Sequence, residues 1–461
     1  MMSEAKAITG TALRILVLCL LFFLARFPFY EAPLYDEEGK FALLFVNRPA
    51  GPAYNLAARI DGKEVFTIFR HPAAMYEILR WTGALGKKWL VDPPRPDDVV
   101  TPRLRVMYSG FQLLFWLSLF ILTNSFLSGL SRNLAFILTA VMMVSPLAVQ
   151  TSCQLQIDNS VGVLMNGVFA LTLFWFSLRG RNDFRARAVL FAASAFLALG
   201  KQEWTAVLLM ALGLWLLYLF LLRQRTGENL SPFFSFTKLV IAGLAVGHVV
   251  SSAYDPENYW EGMFLMWILR DSTIASGSKS LHKFLVSLEY RMIFLFTLLA
   301  LAGIGALLMR SGRKKPHPYL VLLIFFGLGL FGAFFLVGRN SMELRYFAPS
   351  LAVLTVACVA LLPRVTRGRV SAGLWVLMGA MILHAAGFGF LQVQQVPHPP
   401  AILKEIAVAA ERKPGVPYIS SAAAWNKPEI DFVSSSMSWE EALIVVKRHG
   451  KTARKISRQD R

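Results

Sequence analysis

Cysteine and acidic side chains are both scarce in this chain. Only 3 cysteines occur in 461 residues. Cys19, Cys153 and Cys358 each lie inside or at the edge of an apolar stretch, at no spacing that ligates a metal. They exclude a disulfide framework. Charged residues make up only 16% of a chain that is 56% hydrophobic, a balance outside that of soluble globular domains. No Gly-rich nucleotide loop, ATPase motif or Ser-His-Asp pattern stands in the sequence. The energy for any reaction must therefore arrive with the substrate. There is no repeat of fixed period and no low-complexity segment.

What the chain has in abundance is long apolar runs, with 36 Phe, 11 Trp and a mean hydropathy of +0.52. Roughly 18–25 apolar residues suffice to cross a bilayer, and about eleven stretches qualify. They fall near 9–29, 104–123, 133–150, 160–178, 186–200, 204–222, 237–253, 290–309, 318–337, 346–363 and 370–393. The fold class expected is an all-α polytopic membrane protein. The first stretch follows Lys6 and Arg14 as a secretory signal would, but Pro28 and bulky aromatics follow it instead of a small-residue cleavage site. It reads as an uncleaved anchor helix.

The net charge is +19, yet the basic residues occur in short runs between apolar stretches. That pattern sets topology and excludes nucleic acid as a partner. With the amino terminus in the cytoplasm, Arg132, Arg179–Arg187, Arg223–Arg225, Arg310–Lys315 and Arg364–Arg369 all become cytoplasmic. The opposite short loops carry only Lys201, Arg339 and Arg345. Residues 1–393 thus form one transmembrane domain. Its first external loop, 31–102, holds two expected interfacial helices, Gly39–Ala50 and Pro72–Gly83. A second external segment, Tyr254–Glu289, has a similar stretch beginning at Tyr259. Residues 394–461 form a small external α/β tail.

The residues suited to chemistry lie on the external side. Asp36-Glu37-Glu38 directly follow the first span, and an ionisable cluster at a membrane face is functional by default. A carboxylate there can take a proton from an attacking hydroxyl; alternatively, the cluster is an acidic turn anchoring an interfacial helix. Asp158 is the only charge in the tight loop between the third and fourth spans, where it either caps the next helix or orients a ligand. Lys201 stands in another tight turn beside Trp204, as a snorkelling side chain or as a phosphate contact. Arg345-Tyr346 run against the positive-inside trend, and the planar guanidinium fork suits phosphate; a surface pair with Glu343 is the other reading. His71-Pro72 is a lone ligand candidate or a rigid helix start. One histidine leaves the metal question open.

Taken in order, these segments carry a resemblance. Tyr35-Asp36-Glu37-Glu38-Gly39-Lys40-Phe41-Ala42 and His71-Pro72-Ala73-Ala74-Met75-Tyr76 resemble the "DE…YA" and "HPPLYY" segments of GT-C glycosyltransferases. The chain is more narrowly similar to the bacterial relatives of protein O-mannosyltransferases and aminoarabinose transferases, which use polyprenyl-phosphate sugars. Ser145-Pro146 with Asp158, Leu197-Ala198-Leu199-Gly200-Lys201 and Arg345-Tyr346-Phe347-Ala348-Pro349 continue the order over roughly residues 10–365. Ala73 replaces the second proline of the histidine motif, and the lysine turn reads Gly-Lys-Gln instead of Thr-Lys-Gly.

The resemblance implies a GT-C fold and transfer of one sugar, with inversion, from a polyprenyl phosphate to an acceptor hydroxyl at the external face of the plasma membrane. It implies Asp36, Glu37 and Asp158 as catalytic residues and Lys201, Arg345, Tyr346 and His71 as substrate-binding ones. A divalent metal ion is a cofactor in some relatives and absent in others. The partners are the lipid-linked donor, membrane lipid and an acceptor that is protein, lipid or polysaccharide. The rival reading is a transporter or flippase of a lipid-linked or anionic solute. Transporters place charges near the midplane in broken, repeated helices, whereas these charges crowd one face.

Overall fold

The computed structural model describes residues 2–30, 56–60, 63–67, 78, 102–153, 159–179, 183–227, 229–254, 317–337 and 347–365. Its helices are α1 (Met2–Tyr30), α2 (Pro102–Phe126), α3 (Gly129–Met143), α4 (Pro146–Cys153), α5 (Ser160–Arg179), α6 (Phe184–Ala198), α7 (Gln202–Thr226), α8 (Ser231–Tyr254), α9 (Pro318–Val337) and α10 (Ala348–Val365). Five of them are long and apolar enough to cross a membrane, or six if the bent pair α3 and α4 is one span, among the described residues. Each expected stretch that falls on described residues is helical. The stretches 290–309 and 370–393, the interfacial helices apart from helical Ile78, the second external segment and the 394–461 tail lie outside the described residues.

Two expectations are corrected. The third span is not one straight helix: α3 and α4 meet at a bend of 54°. The cause is Pro146, which has no N–H for the carbonyl a turn earlier and is tolerated only as the first residue of a new helix. Ser145 fits that role, its hydroxyl accepting from the Ala148 N–H at 3.4 Å and donating to the Met142 carbonyl at 2.7 Å. The all-α expectation also meets an exception in the first external loop, which between its two expected interfacial helices contains an antiparallel hairpin, β1 (Leu56–Ile60) and β2 (Lys63–Thr67), in register from Leu56↔Thr67 to Ile60↔Lys63.

Helix α5 occupies the middle of the bundle, packed by α2, α6, α9 and α10. Of its apolar window 67% is buried, against 17% for α1, so α1 presents most of its surface outward. On α1, Leu20, Leu24 and Phe27 are exposed while Leu18, Phe22, Arg26 and Tyr30 are buried. The buried set recurs every fourth residue, one helical face. Helices α6 and α8 touch backbone to backbone, because a Cβ at Gly243 would lie 2.6 Å from the Phe191 carbonyl oxygen and one at Gly247 would meet the Ala195 carbonyl.

The two ends of the bundle differ. At one end lie Arg132, Arg185, Arg187 and Arg223, at the starts of α3 and α6 and the end of α7. There Trp215 donates to the Pro318 carbonyl at 2.8 Å, Phe233, Phe236 and Tyr319 make ring contacts with it, and Phe176 packs in turn on Tyr319. The Asp183 carboxylate caps α6 by accepting from the Ala186 N–H at 2.8 Å. This basic end is the one the charge pattern assigns to the cytoplasm.

Candidate functional site

The opposite end is where the chain leaves and re-enters the bundle around the candidate residues. Of these, Lys201 is described. Asp36, Glu37, His71, Asp158, Arg345 and Tyr346 lie outside the described residues, and the described chain ends beside them carry the geometry.

The end of α1, six residues before Asp36, is tied to the start of α2. Arg105 donates to the Phe29 carbonyl at 3.0 Å and the Tyr30 carbonyl at 3.4 Å. A cation there satisfies carbonyls that the helix itself leaves open. The Tyr30 hydroxyl meets Ser109 Oγ at 3.1 Å. The loop that carries Asp158 is closed at its base in the same way, the Ser160 hydroxyl donating to the Ser152 carbonyl at 3.3 Å.

Three helix starts then converge. Trp204, in the first turn of α7, is fully buried. A Cβ at Gly162, in the first turn of α5, would lie 2.8 Å from Trp204 Cη2 and 3.5 Å from Pro349 Cγ, in the first turn of α10. At Gly200 a Cβ would lie 2.7 Å from Trp204 Cε3. The glycines are therefore required by close approach, and they bring the flanks of Asp158, Lys201 and Arg345 to one place. Each helix start carries about half a positive charge in unpaired N–H groups, and three together favour an anion.

Lys201 immediately precedes α7 with extended backbone, φ −64° and ψ 137°, and is only 3% exposed. A lysine that snorkels would hold its ammonium in water; this one is enclosed. Burial of a lysine is costly, and a cation at a helix start opposes the dipole. Lys201 is thus an enclosed cation at the point where three helix starts meet. Among the described residues, the buried Trp204 indole N–H and Ser350 hydroxyl have no hydrogen-bond partner.

Sequence reasoning missed Arg26. It lies inside α1, is wholly buried, and its signal was present: an ionisable residue within a span. Its Nε donates to Ser152 Oγ, Nη1 to the Phe22 carbonyl at 3.1 Å, and Nη2 to Gln112 Oε1 at 2.8 Å and the Met143 carbonyl at 3.0 Å. The guanidinium also sits 3.6 Å over the Phe22 ring. No group of three or more His, Cys, Asp or Glu side chains suited to a metal ion occurs among the described residues.

No family model and no curated protein matches the chain. Solved structures do. ArnT from Cupriavidus metallidurans, bound to undecaprenyl phosphate, superposes with a TM-score of 0.50 at 14% identity over 80% of this chain and 62% of its own. The archaeal oligosaccharyltransferase AglB from Archaeoglobus fulgidus, in complex with an inhibitory peptide and a dolichol-phosphate, gives 0.54 at 11% identity over 88% and 58%. An oligosaccharyltransferase of Archaeoglobus fulgidus tethered with an acceptor peptide gives 0.50 at 12% identity over 88% and 57%. This chain spans about three fifths of the length of these neighbours. At such identities the likeness is one of fold, that of a polytopic membrane protein.

Proposed function

We propose that this protein is a membrane glycosyltransferase that moves a sugar from a polyprenyl phosphate to an acceptor hydroxyl at the external face of the plasma membrane. The observation that carries the reading is Lys201, buried at the convergence of three helix starts, an arrangement suited to a lipid phosphate at the bilayer surface. The presence of undecaprenyl phosphate and dolichol-phosphate in the two neighbours of like fold supports the same donor class.

In this reading the acceptor oxygen attacks the anomeric carbon as Asp36 takes its proton, and the bond from that carbon to the phosphate oxygen breaks. The polyprenyl phosphate leaves with the electron pair, its charge held by Lys201 and Arg345, and a single displacement inverts the anomeric centre. Glu37 supports Asp36, Tyr346 and His71 contact the donor, and Asp158 orients the acceptor or helps to hold a divalent ion.

A broken span and a buried arginine are also features of transporters. Here the arginine is committed to protein acceptors on several helices, which leaves the enzyme reading ahead. The test is transfer from a purified polyprenyl-phosphate sugar in reconstituted membranes, with donor binding measured separately. Asp36→Asn should bind donor yet lose about 10²–10⁴-fold in turnover, the usual worth of a general base, and Glu37→Gln should lose less. Parental turnover in Asp36→Asn would move the base to Asp158. Donor binding without consumption by the parent chain would make it a carrier.

A further inference from the structure

We infer that Arg26 is a positioning residue: it clamps the outer half of the broken third span to the end of α1, and so sets the distance between the chain segments leading to Asp158 and to Asp36. This rests on the glycosyltransferase reading for its functional meaning, but its geometry stands without it.

The bend between α3 and α4 takes the Met142 carbonyl out of the ladder, because Pro146 has no N–H for it. In a membrane an unpaired carbonyl is costly, and Ser145 holds this one through its N–H at 3.2 Å and its hydroxyl at 2.7 Å. Arg26 ties the two sides of the break together: its Nη2 donates to the Met143 carbonyl before it at 3.0 Å and the Ala148 carbonyl after it at 3.3 Å. Its Nε reaches Ser152 in the last turn of α4, and Nη2 also holds Gln112 of α2 at 2.8 Å. One side chain therefore joins α1, α2, α3 and α4. Five donors in a planar fork make this possible, and a lysine ammonium, with three donors on one atom, cannot reach the same set.

The chain beyond each clamped end leads directly to a candidate carboxylate. Ser152 is six residues before Asp158, and Arg26 is ten before Asp36. Because the guanidinium is spent on protein acceptors, its effect on the reaction runs through position and not through contact with substrate.

Cys153, next to Ser152 and only 4% exposed, reports the clamp without any activity assay. In membranes containing the full chain with Cys19→Ser and Cys358→Ala, the rate of N-ethylmaleimide labelling at Cys153 is measured for the parent, Arg26→Gln, Arg26→Lys and the milder Ser152→Ala. Loss of a charge-assisted buried hydrogen bond should raise labelling about tenfold in Arg26→Gln and Ser152→Ala. Arg26→Lys should also label faster than the parent, since charge alone does not rebuild the clamp. Combining Arg26→Gln with Ser152→Ala should add little to Arg26→Gln alone. In the transfer assay the same variants should lower kcat and leave the donor KM unchanged. Parental labelling in Arg26→Gln, or full restoration by Arg26→Lys, overturns the clamp whatever the activity shows. A parent chain that consumes no polyprenyl-phosphate sugar overturns the enzyme reading instead, and the labelling result still decides the clamp.

Discussion

Lys201 and Arg26 are both cations enclosed by protein, one directly before α7 and the other inside α1. Arg26 is surrounded by carbonyls and neutral side chains on its own and neighbouring helices. Lys201 stands at a helix start, where the backbone repels it. Replacing Lys201 by Gln keeps much of the stem and removes the charge. We expect it to weaken donor binding about 10- to 100-fold, the worth of a hydrogen bond to a charged group, and to leave assembly intact. Unchanged affinity for the sugar-free polyprenyl phosphate, measured by competition, would assign Lys201 to the scaffold. The sequence made Lys201 visible as a lysine in a tight external turn beside Trp204. It left Arg26 unread because the residue falls near the end of the first span, where an arginine is ordinarily taken to reach for the interface. Only its fourfold spacing with Leu18, Phe22 and Tyr30 shows the inward face, and that requires knowing which side of α1 meets protein.

The elements were legible to the extent that hydropathy reports them. Apolar length located α1, α2, α5, α7, α8, α9 and α10, and the short α6 was found as a short stretch. Hydropathy carries no direction, so the run over 133–150 read as one helix although Ser145-Pro146 was in plain sight. The hairpin escapes hydropathy for a related reason: two strands of five residues are too short to register as apolar runs. Helix pairing lay beyond the sequence. Gly243 and Gly247 have the four-residue spacing that lets helices approach, but nothing in the sequence names α6 as the partner. The contact makes a definite claim. Gly243→Val should destabilise the protein in detergent by about 1–3 kcal/mol, the usual cost of overpacking, because the Phe191 carbonyl at 2.6 Å is backbone and cannot swing away. Gly213→Ala on α7 is the control, having nothing within 4 Å, and should lose nothing. Equal thermal stability for Gly243→Val and the parent would show that α6 and α8 are not in backbone contact.

For the whole molecule, the charge asymmetry and the packing agree on which helix ends lie together. Short helix connections alternate between a basic end and one where Tyr30, Arg105, Ser160, Trp204 and Pro349 gather. Reporter fusions after Gly227 and Lys315 should therefore read cytoplasmic, and fusions after Asp158 and Lys201 external, as the positive-inside bias requires. A cytoplasmic signal after Lys201 would invert the molecule and put the proposed phosphate focus on the wrong side. Loop charges mark a face of the membrane and not what encloses them, so the burial of Lys201 is not legible in the sequence.

The bend in the third span also constrains how the chain is made. When α1 first enters the bilayer, the only Arg26 acceptor already present is the Phe22 carbonyl, four residues away. Gln112 follows 86 residues later, the Met143 carbonyl 117 later and Ser152 126 later. Until then a guanidinium at that depth costs up to about 2.5–3.5 kcal/mol on insertion scales, and the first helix is held in the lipid by its leucines and phenylalanines alone. Seating of α1 is thus finished by a segment synthesised well after it, so biogenesis of this protein is sequential in its chain but not in its membrane assembly.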